Sequence, residues 1–365
     1  MGKSIENLRT VTRVGVDLAK NILQVHAVDA KGEVVAARAL RRSAVLGFFG
    51  KLPPCVVAME ACPSAHHWGR ALIELGHEVK LIPAAHVKPY VRRNKNDAAD
   101  AAAICEASMR PGQRFVAVRS IDNQAELMRH RARELLASQR TALINALRGH
   151  MSEIGIVAAQ GAQNAYGLKL MLSDGADEHG EIVVPESVRG ALRPLGEQIE
   201  ALDEQLGAID AEIAAQVKAD EKARRLMTIP GIGPITASAI VATVRDMSGF
   251  SSGREFAAFL GLTPRQHSSG GKERRGRITK MGDRYLRKLL VVGACAVLSH
   301  REGQYDALRT WAKALIGRKT VKYNFKLTAV ALANKLARIA WAIMAKGEDY
   351  KPFAAAQIAS PAVSA

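Results

Sequence analysis

The fold of the N-terminal region is decided by residues 14–36, VGVDLAKNILQVHAVDAKGEVVA. They contain three short apolar runs, at 14–17, 22–28 and 33–36, with a polar turn at 29–32 between the second and the third. Short apolar runs joined by tight connections are typical of neighbouring strands. The sequence therefore predicts that the chain opens with three strands of one sheet.

The segments that follow alternate between helical and strand patterns. The sequence predicts a helix at 45–49, a fourth strand at 55–59 that ends at Glu60, a helix at about 64–75, a fifth strand at 79–82 and an alanine-rich helix that begins near Asp97. Three strands followed by helix, strand, helix, strand and helix form a mixed sheet with flanking helices. We therefore expect an α/β domain at residues 1–120.

Two long helices are predicted in the middle of the chain. Residues 123–154 contain no proline and repeat apolar residues on one face, and residues 195–217 carry apolar side chains at alternating steps of four and three, which is a heptad seam. The glycine-rich, polar residues 155–184 between them are interpreted as a loop. An antiparallel coiled-coil arm at 121–222 and an ordinary helical bundle both fit this pattern, and the regular seam favours the arm.

A mainly helical domain is predicted at residues 223–348, followed by a flexible tail at 349–365. Near its start, the sequence TIPGIGPITA at 228–237 resembles a helix-hairpin-helix element. In such an element Gly231 and Gly233 would let backbone N–H groups approach a nucleic-acid phosphate. A glycine-rich turn between two packed helices is the alternative.

The chain is strongly basic. Its 52 Lys and Arg residues against 35 Asp and Glu give a net charge of +17, which favours nucleic acid as a partner because basic surfaces attract phosphate backbones. The sequence has neither an apolar run of about 18 residues nor a secretory signal, so we expect no membrane partner and a cytoplasmic location. The four cysteines lack CxxC spacing and companion histidines, so we expect reduced thiols rather than a zinc site.

Four carboxylates fall at positions suited to a common metal site. Asp17 and Glu60 end the first and fourth predicted strands, and Asp97 and Asp100 lie three apart at the start of a predicted helix. If the two strands are adjacent and parallel, their carboxyl ends open onto the same crevice. One or two Mg²⁺ ions, with Mn²⁺ as a substitute, would offset the repulsion between the acids and suit phosphodiester chemistry. Taken singly, each acid is more often a strand-end or helix-terminal residue.

A serine in a basic, glycine-bearing segment is a candidate nucleophile. Ser268 and Ser269 precede two glycines, and the basic residues around them are Arg265, Lys272, Arg274, Arg275 and Arg277. A hydroxyl on an exposed turn can attack phosphorus while guanidinium groups hold the phosphate. The same spacing also suits a linker, and the basic cluster alone also suits a surface that only contacts phosphates.

Together these motifs resemble those of the IS110 family of insertion-sequence transposases. The resemblance rests on VGVDLAK at 14–20, MEAC at 59–62, KNDAADA at 95–101, PGIG at 230–233 and the segment from GLTPR to SG at 261–270. It implies a ribonuclease-H-like domain of the RuvC type, joined by a coiled coil to a transposase domain. The DEDD acids that it implies are Asp17, Glu60, Asp97 and Asp100, and the catalytic serine that it implies is Ser269, directly before Gly270.

The resemblance also implies partners. Members of the family are guided by a structured bridge RNA that pairs with donor and target DNA, and they act as multimers with composite active sites. We therefore expect donor and target DNA, a bridge RNA and further copies of the chain, as a dimer or tetramer, as partners. Two other functions fit the residues: a metal-dependent endonuclease of the Holliday-junction type, which would use the acids alone, and a nucleic-acid-binding protein without catalytic activity.

Overall fold

The computed structural model describes residues 5–91, 97–159, 161–176, 179–244, 246–267, 274–299, 307–317 and 324–352. The chain divides into two compact units, an N-terminal unit of residues 1–124 and a C-terminal unit of residues 125–365. The N-terminal unit combines a sheet with helices, and the C-terminal unit is mostly helical. This confirms the predicted combination of an α/β region and a mainly helical region.

The N-terminal unit is built on a five-stranded mixed sheet. Its strands are β1 (Arg13–Asp17), β2 (Ile22–Val28), β3 (Val34–Arg41), β4 (Val56–Glu60) and β5 (Glu78–Ile82). Their order across the sheet is β3-β2-β1-β4-β5. The first three strands pair antiparallel, whereas β4 pairs parallel with β1 and with β5. The three opening strands and the two later ones all lie where the sequence predicts them.

Strand β3 is longer than its apolar run. The sequence predicts a strand at 33–36, but pairing with β2 continues to the position where Ile22 lies opposite Arg41. β3 is an edge strand, and most of its second half is exposed. Its backbone is held extended by hydrogen bonds to β2, so no apolar pattern is needed there.

Helices cover both faces of this sheet. They are α1 (Val45–Phe49), α2 (Ala65–Glu74), α3 (Ala84–Val87) and α4 (Asp97–Met109). On one face Phe49, Trp68 and Leu72 pack into the main core with the strands. On the other face Ile104 of α4 shares a smaller core with Ala58 of β4. The sheet is therefore buried on both sides, as its apolar strands require.

Three helices form the first part of the C-terminal unit, and the first of them begins just before this unit. They are α5 (Ile121–Glu153), α6 (Ala162–Asp174) and α7 (Glu186–Ala219). α5 and α7 run antiparallel, because Arg133 pairs with Asp210 while Arg140 pairs with Asp203. The predicted pair of long helices is therefore present.

Helix α6 corrects the interpretation of residues 155–184 as a loop. It lies inside that glycine-rich, polar stretch. Leu168 and Leu172 of α6 are buried in one cluster with Leu147 of α5 and Ile199 of α7. Packing against two longer helices stabilises a segment whose own composition indicates little structure.

The rest of the C-terminal unit is a helical bundle that carries one small hairpin. Its elements are α8 (Glu221–Met227), α9 (Pro234–Thr243), α10 (Gly253–Phe259), β6 (Pro264–Gln266), β7 (Arg275–Ile278), α11 (Arg284–Ser299), α12 (Ala307–Gly317) and α13 (Asn324–Lys346). Leu226, Ile240, Phe256, Leu290 and Leu336 are all fully buried members of its core. The hairpin was not predicted from the sequence, because its strands are short and polar.

Helix α13 has the length and composition of a membrane-spanning segment. Within the described part of the chain it alone passes this test, over Phe325–Lys346, and half of that window is buried inside the unit. Leu332, Leu336 and Ala340 of this helix belong to the helical core. A core helix satisfies the same criterion, and the packing of α13 accounts for its apolar character.

The four cysteines are free thiols. Cys55 and Cys105 are buried, and burial raises the pKa of each to about 11. Cys62 and Cys295 are half-buried. The absence of disulfides among them agrees with the expected reduced thiols.

Candidate active site and nucleic-acid interface

Two of the predicted metal ligands end adjacent parallel strands. Asp17 is the last residue of β1 and Glu60 is the last residue of β4. The two strands are paired in parallel, with Val16 opposite Met59. Asp17 and Glu60 therefore come directly after two residues that lie opposite each other, at one edge of the sheet. The sequence predicts this arrangement if the two strands are adjacent and parallel. Both are half-buried.

The alternation of side chains along the strands places both acids on the same face. Val16 and Met59 belong to the main core on one face, whereas Gly15 and Ala58 lie under α4 on the other. Asp17 is two residues after Gly15, and Glu60 is two residues after Ala58. Residues two apart in a strand share a face. Both carboxylates are therefore on the face that α4 covers.

Helix α4 lies directly on the backbone of β1 at Gly15. A Cβ atom on this glycine would come within 2.2 Å of the carbonyl oxygen of Ala101 and 2.6 Å of the backbone nitrogen of Cys105. No side chain fits at such distances, so the glycine is required by the close approach of helix and strand. The position of α4 relative to β1 is set by this contact between backbones.

The direction of α4 brings its first turn to the same edge as the acids. Arg13, at the start of β1, donates a hydrogen bond through Nη1 to Oγ of Ser108 near the end of α4, at 3.0 Å. The helix therefore runs antiparallel to β1. Its first turn, with Asp97 and Asp100, lies toward the strand end that carries Asp17.

The structure brings the predicted acids to one edge but does not complete the ligand set. Asp100 is half-buried on α4, while Asp97 begins the helix and its side chain lies outside the described residues, as does the segment 92–96. Among the side chains that are described, no group of three His, Cys, Asp or Glu residues is close enough to hold a metal ion. The donor set consists of hard carboxylate oxygens, which fit Mg²⁺ or Mn²⁺ rather than softer metals.

The predicted nucleophile lies outside the described residues. Ser269, its neighbour Ser268 and Lys272 all belong to the segment 268–273, for which no structure is described. The residues on either side of this segment are hydrogen-bonded to each other. The backbone N–H of His267 donates to the carbonyl of Arg274 at 2.9 Å. The segment therefore connects the antiparallel strands β6 and β7.

The hairpin that carries this segment is basic and exposed. Arg265, Arg274 and Arg277 are all exposed, and the side chain of Arg275 lies outside the described residues. Arg265 donates one hydrogen bond through Nη2 to the carbonyl of Thr279 at 3.4 Å. Exposed guanidinium groups on a short hairpin are available for contacts with phosphates.

The base of the hairpin is held by a close contact between backbones. Gly282 has φ +80°, and a Cβ atom there would come within 1.7 Å of the carbonyl oxygen of Phe259. Arg287 of α11 donates through Nη1 to the carbonyls of Leu260 and Met281, at 2.9 and 3.1 Å. These contacts fix the chain on both sides of the hairpin to α10 and α11.

The glycine turn at 230–233 packs against α11, a contact that the sequence did not predict. Gly231 has φ +83°, and a Cβ atom there would come within 2.7 Å of the carbonyl oxygen of Gly293 in α11. Gly233 is exposed, precedes α9 and has open space around its Cα. Contact with a phosphate stays a prediction for both glycines, while the packing against α11 already explains the glycine at 231.

A buried polar cluster, which was not predicted from the sequence, joins four helices of the C-terminal unit, α5, α7, α9 and α11. Nε2 of His130 lies 3.0 Å from Oγ of Ser238, and its Nδ1 lies 3.2 Å from the hydroxyl of Tyr285. Arg133 makes a bidentate pair with Asp210. Burial, followed by the nearby arginines, lowers the pKa of His130 to about 4, so this histidine is neutral at pH 7. The cluster connects α5 with α7, with α9 and with the start of α11.

Comparisons with known proteins cover nearly the whole chain. A family model described as a transposase of the IS116/IS110/IS902 family matches residues 223–309, and a model of DEDD transposases of the IS110 type matches residues 14–156. A probable family 20 transposase of Pseudomonas aeruginosa is 45% identical over 94% of this chain and 99% of its own length. The transposase for insertion sequence element IS1111A of Coxiella burnetii is 38% identical over 96% of this chain and 94% of its own length. A pilin gene-inverting protein of Moraxella bovis is 28% identical over 44% of this chain and 47% of its own length.

Proposed function

The chain belongs to the IS116/IS110/IS902 family of transposases, and from this membership we propose that it breaks and rejoins the DNA strands of an insertion sequence with two groups of catalytic residues. The first group is the acid set Asp17, Glu60, Asp97 and Asp100. The second is the hydroxyl of Ser269. We further propose a division into an acid domain at 1–120, a coiled-coil arm at 121–222, a transposase domain at 223–348 and a tail at 349–365.

One observation carries the proposal for the acids. Asp17 and Glu60 end adjacent parallel strands, on the face that α4 covers. Carboxylates so placed would hold two Mg²⁺ or Mn²⁺ ions, which polarise a phosphodiester and offset its negative charge when bound. The strands hold the two carboxylates in register through backbone hydrogen bonds, and α4 shields one side of the site from water.

The serine supplies the covalent step of the proposed reaction. The Oγ atom of Ser269 attacks the scissile phosphorus, a bond between serine and phosphate forms, and the bond to one deoxyribose oxygen breaks. The serine proton is lost to water and the released strand end takes up a proton. A hydroxyl of the second strand then attacks the same phosphorus, which joins the strands and regenerates the serine.

Basic residues around the hairpin would hold the nucleic acid. We propose that Arg265, Lys272, Arg274, Arg275 and Arg277 contact phosphates, together with backbone N–H groups at Gly231 and Gly233. The exposure of Arg265, Arg274 and Arg277 supports this. Each phosphate contact contributes about 0.9 to the slope of log affinity against log salt on duplex DNA, so binding should weaken steeply as salt rises.

The partners of the reaction are part of the proposal. They are donor DNA, target DNA, a structured bridge RNA and further copies of the chain in a dimer or tetramer. The net charge of +17 supports nucleic acid as a partner.

The test is a search for a covalent adduct between protein and DNA. Full-length protein is mixed with a guide RNA transcribed from the DNA that flanks the gene, a labelled donor DNA and Mg²⁺, then resolved under denaturing conditions. We expect an adduct with the wild-type chain and with the neighbouring variant Ser268→Ala, and none with Ser269→Ala or Asp17→Asn.

Other outcomes would contradict parts of this proposal. An undiminished adduct with Ser269→Ala ends the assignment of the serine. Mg²⁺-dependent cleavage that survives the loss of both serines identifies a junction-type endonuclease instead. Steeply salt-dependent binding without any strand breakage identifies a binding protein without catalytic activity.

A further inference from the structure

A basic cavity lies beside the turn between β1 and β2. Its volume is about 730 Å³. The residues that line it are Asn21, Ile22, Arg41, Arg42, Ser43 and Trp68. These residues come from the turn that follows β1, the end of β3 and helix α2, all within the N-terminal unit. The cavity is therefore at the edge of the sheet where β1 ends.

Backbone hydrogen bonds join the walls of this cavity. The backbone N–H of Arg42 donates to the carbonyl of Asn21 at 3.0 Å, and Arg41 pairs with Ile22 across β3 and β2. The two arginines therefore extend from backbone that the sheet holds in place. A site of this kind is formed before a ligand arrives.

The charge of the cavity is uncompensated. Arg41 and Arg42 are exposed, and neither makes an ion pair with any residue that the structure describes. No acidic residue is among those that line the cavity. The guanidinium of Arg42 lies 4.9 Å from the centre of the Trp68 ring, which orients it. Two guanidinium groups in a cavity without acids favour a phosphate or another oxyanion.

A buried donor gives a second, independent indication. Trp68 is only 4% exposed, and its Nε1 has no acceptor among the residues described. A buried N–H without a partner destabilises a fold, so such groups are rare in proteins. An oxyanion bound in the cavity would supply the kind of acceptor that this side chain lacks.

We infer that this cavity binds a backbone phosphate of the nucleic-acid strand on which the acids act. This inference rests on the proposed function for the role of the acids. Asn21 is four residues after Asp17, so the two are at most about 14 Å apart along the chain. A strand that crosses this edge of the sheet would meet both the cavity and the acids.

The inference is tested by binding, without cleavage. Full-length protein with Trp311→Phe and Trp341→Phe leaves Trp68 as the sole tryptophan. Its fluorescence is followed in EDTA while single-stranded DNA, duplex DNA or RNA oligonucleotides are added at several salt concentrations. The test variant is Arg41→Gln with Arg42→Gln, and each single variant is measured as well.

A matched control removes the same charge from the same unit. It is Lys31→Gln with Lys51→Gln; both lysines are exposed, in the turn between β2 and β3 and in the segment before β4, at the opposite end of the sheet. We expect the wild-type background and the control to show a change in Trp68 emission on binding. In the arginine pair this change should be lost, affinity should fall at least about tenfold, and the salt slope on single strands should fall by about 1.4, since each phosphate contact contributes about 0.7.

The possible results separate this inference from the proposed function. Equal affinity and equal salt slope in the arginine and lysine pairs overturn the inference, and so does an absence of binding by the parent chain. A chain that binds as expected but never cleaves contradicts the proposed function and leaves the phosphate site standing. An effect of the arginine pair on RNA binding alone also overturns the inference, because the acids act on DNA.

Discussion

The two units hold their candidate catalytic groups in different ways. In the N-terminal unit Asp17 and Glu60 end paired strands in the middle of a sheet, and α4 rests on the backbone beside them. In the C-terminal unit the predicted Ser269 lies between the two short strands β6 and β7, whose base is held by contacts with α10 and α11. The acids are thus placed by regular pairing, which fixes their separation. The described contacts near the predicted serine are those that hold the base of a short hairpin, outside the larger sheet.

The largest effect is expected where the N-terminal site is most closely packed. Gly15→Ala places a Cβ atom 2.2 Å from the carbonyl oxygen of Ala101, so α4 must move; we expect a loss of at least about 3 kcal/mol of stability and no Mg²⁺-dependent cleavage. Thermal melting and cleavage assays measure this. Gly47→Ala, which meets no atom within 4 Å, is the control and should behave as wild type. Normal cleavage by Gly15→Ala would show that α4 does not position the acids.

The C-terminal unit should respond to pH through its buried cluster. The folded pKa of His130 is about 4, below its ordinary value of 6.5, so the unfolded chain takes up the proton first. Stability from this group is complete above pH 6.5 and is lost as pH falls toward 4, by about 3 kcal/mol in total at about 1.36 kcal/mol per pKa unit. His66 of the N-terminal unit, whose pKa is also about 4 because of burial, contributes in the same direction.

The variant His130→Gln separates these two contributions. Glutamine does not titrate between pH 4 and 6.5, so melting of this variant should depend less steeply on pH than melting of the wild type. The dependence that remains is that of His66 and the carboxylates. Identical slopes in the two proteins would show that His130 is not held neutral by its surroundings.

A comparable but more local effect is expected at the base of the hairpin. Gly282→Ala combines a left-handed φ of +80° with a Cβ atom 1.7 Å from the carbonyl oxygen of Phe259; we expect it to cost about 3 kcal/mol and to lower adduct formation. Binding of Mn²⁺ to the acids, followed by electron paramagnetic resonance, should not change. Gly207→Ala in α7, with open space around it, is the control. Weakened Mn²⁺ binding in Gly282→Ala would contradict the conclusion that the acids and the hairpin are held in place by separate contacts.

The smallest effect is expected at the exposed ion pairs of the long helices. Glu212, 62% exposed and 3.1 Å from Nε of Arg129, should contribute under about 0.5 kcal/mol, so Glu212→Gln should melt close to wild type. Asp210→Asn disrupts the bidentate pair with Arg133 next to the buried cluster and should cost about 1 kcal/mol. Denaturant titration compares the two. Equal losses would contradict the expectation that the bidentate, less exposed pair contributes more than the exposed one.

Much of the N-terminal unit could be predicted from local sequence. Its central strands are short apolar runs, and the positions of Asp17 and Glu60 at their ends follow from where the runs stop. The second half of β3 could not be predicted, since Arg38 and Arg41 occupy an edge strand that pairing alone keeps extended. The glycine at 15 looked like part of a motif, and only the path of α4 shows that it makes room for a helix.

The C-terminal unit was less predictable because its contacts join distant residues. Helix α6 depends on Leu168 and Leu172 finding partners in α5 and α7. His130 meets Ser238 and Tyr285, which are 108 and 155 residues away in the chain, and no local pattern indicates such a meeting. The serine motif was recognisable only as a sequence, and Ser269 stays a prediction.

The contact between the 230–233 turn and α11 limits how this protein can change. A methyl group on Gly231 would overlap the carbonyl of Gly293, and one on Gly293 would come within 2.0 Å of the carbonyl of Gly231. Neither glycine can be replaced even by alanine while the other segment keeps its place. The two glycines therefore constrain each other, so a side chain at either position requires the turn and α11 to move apart.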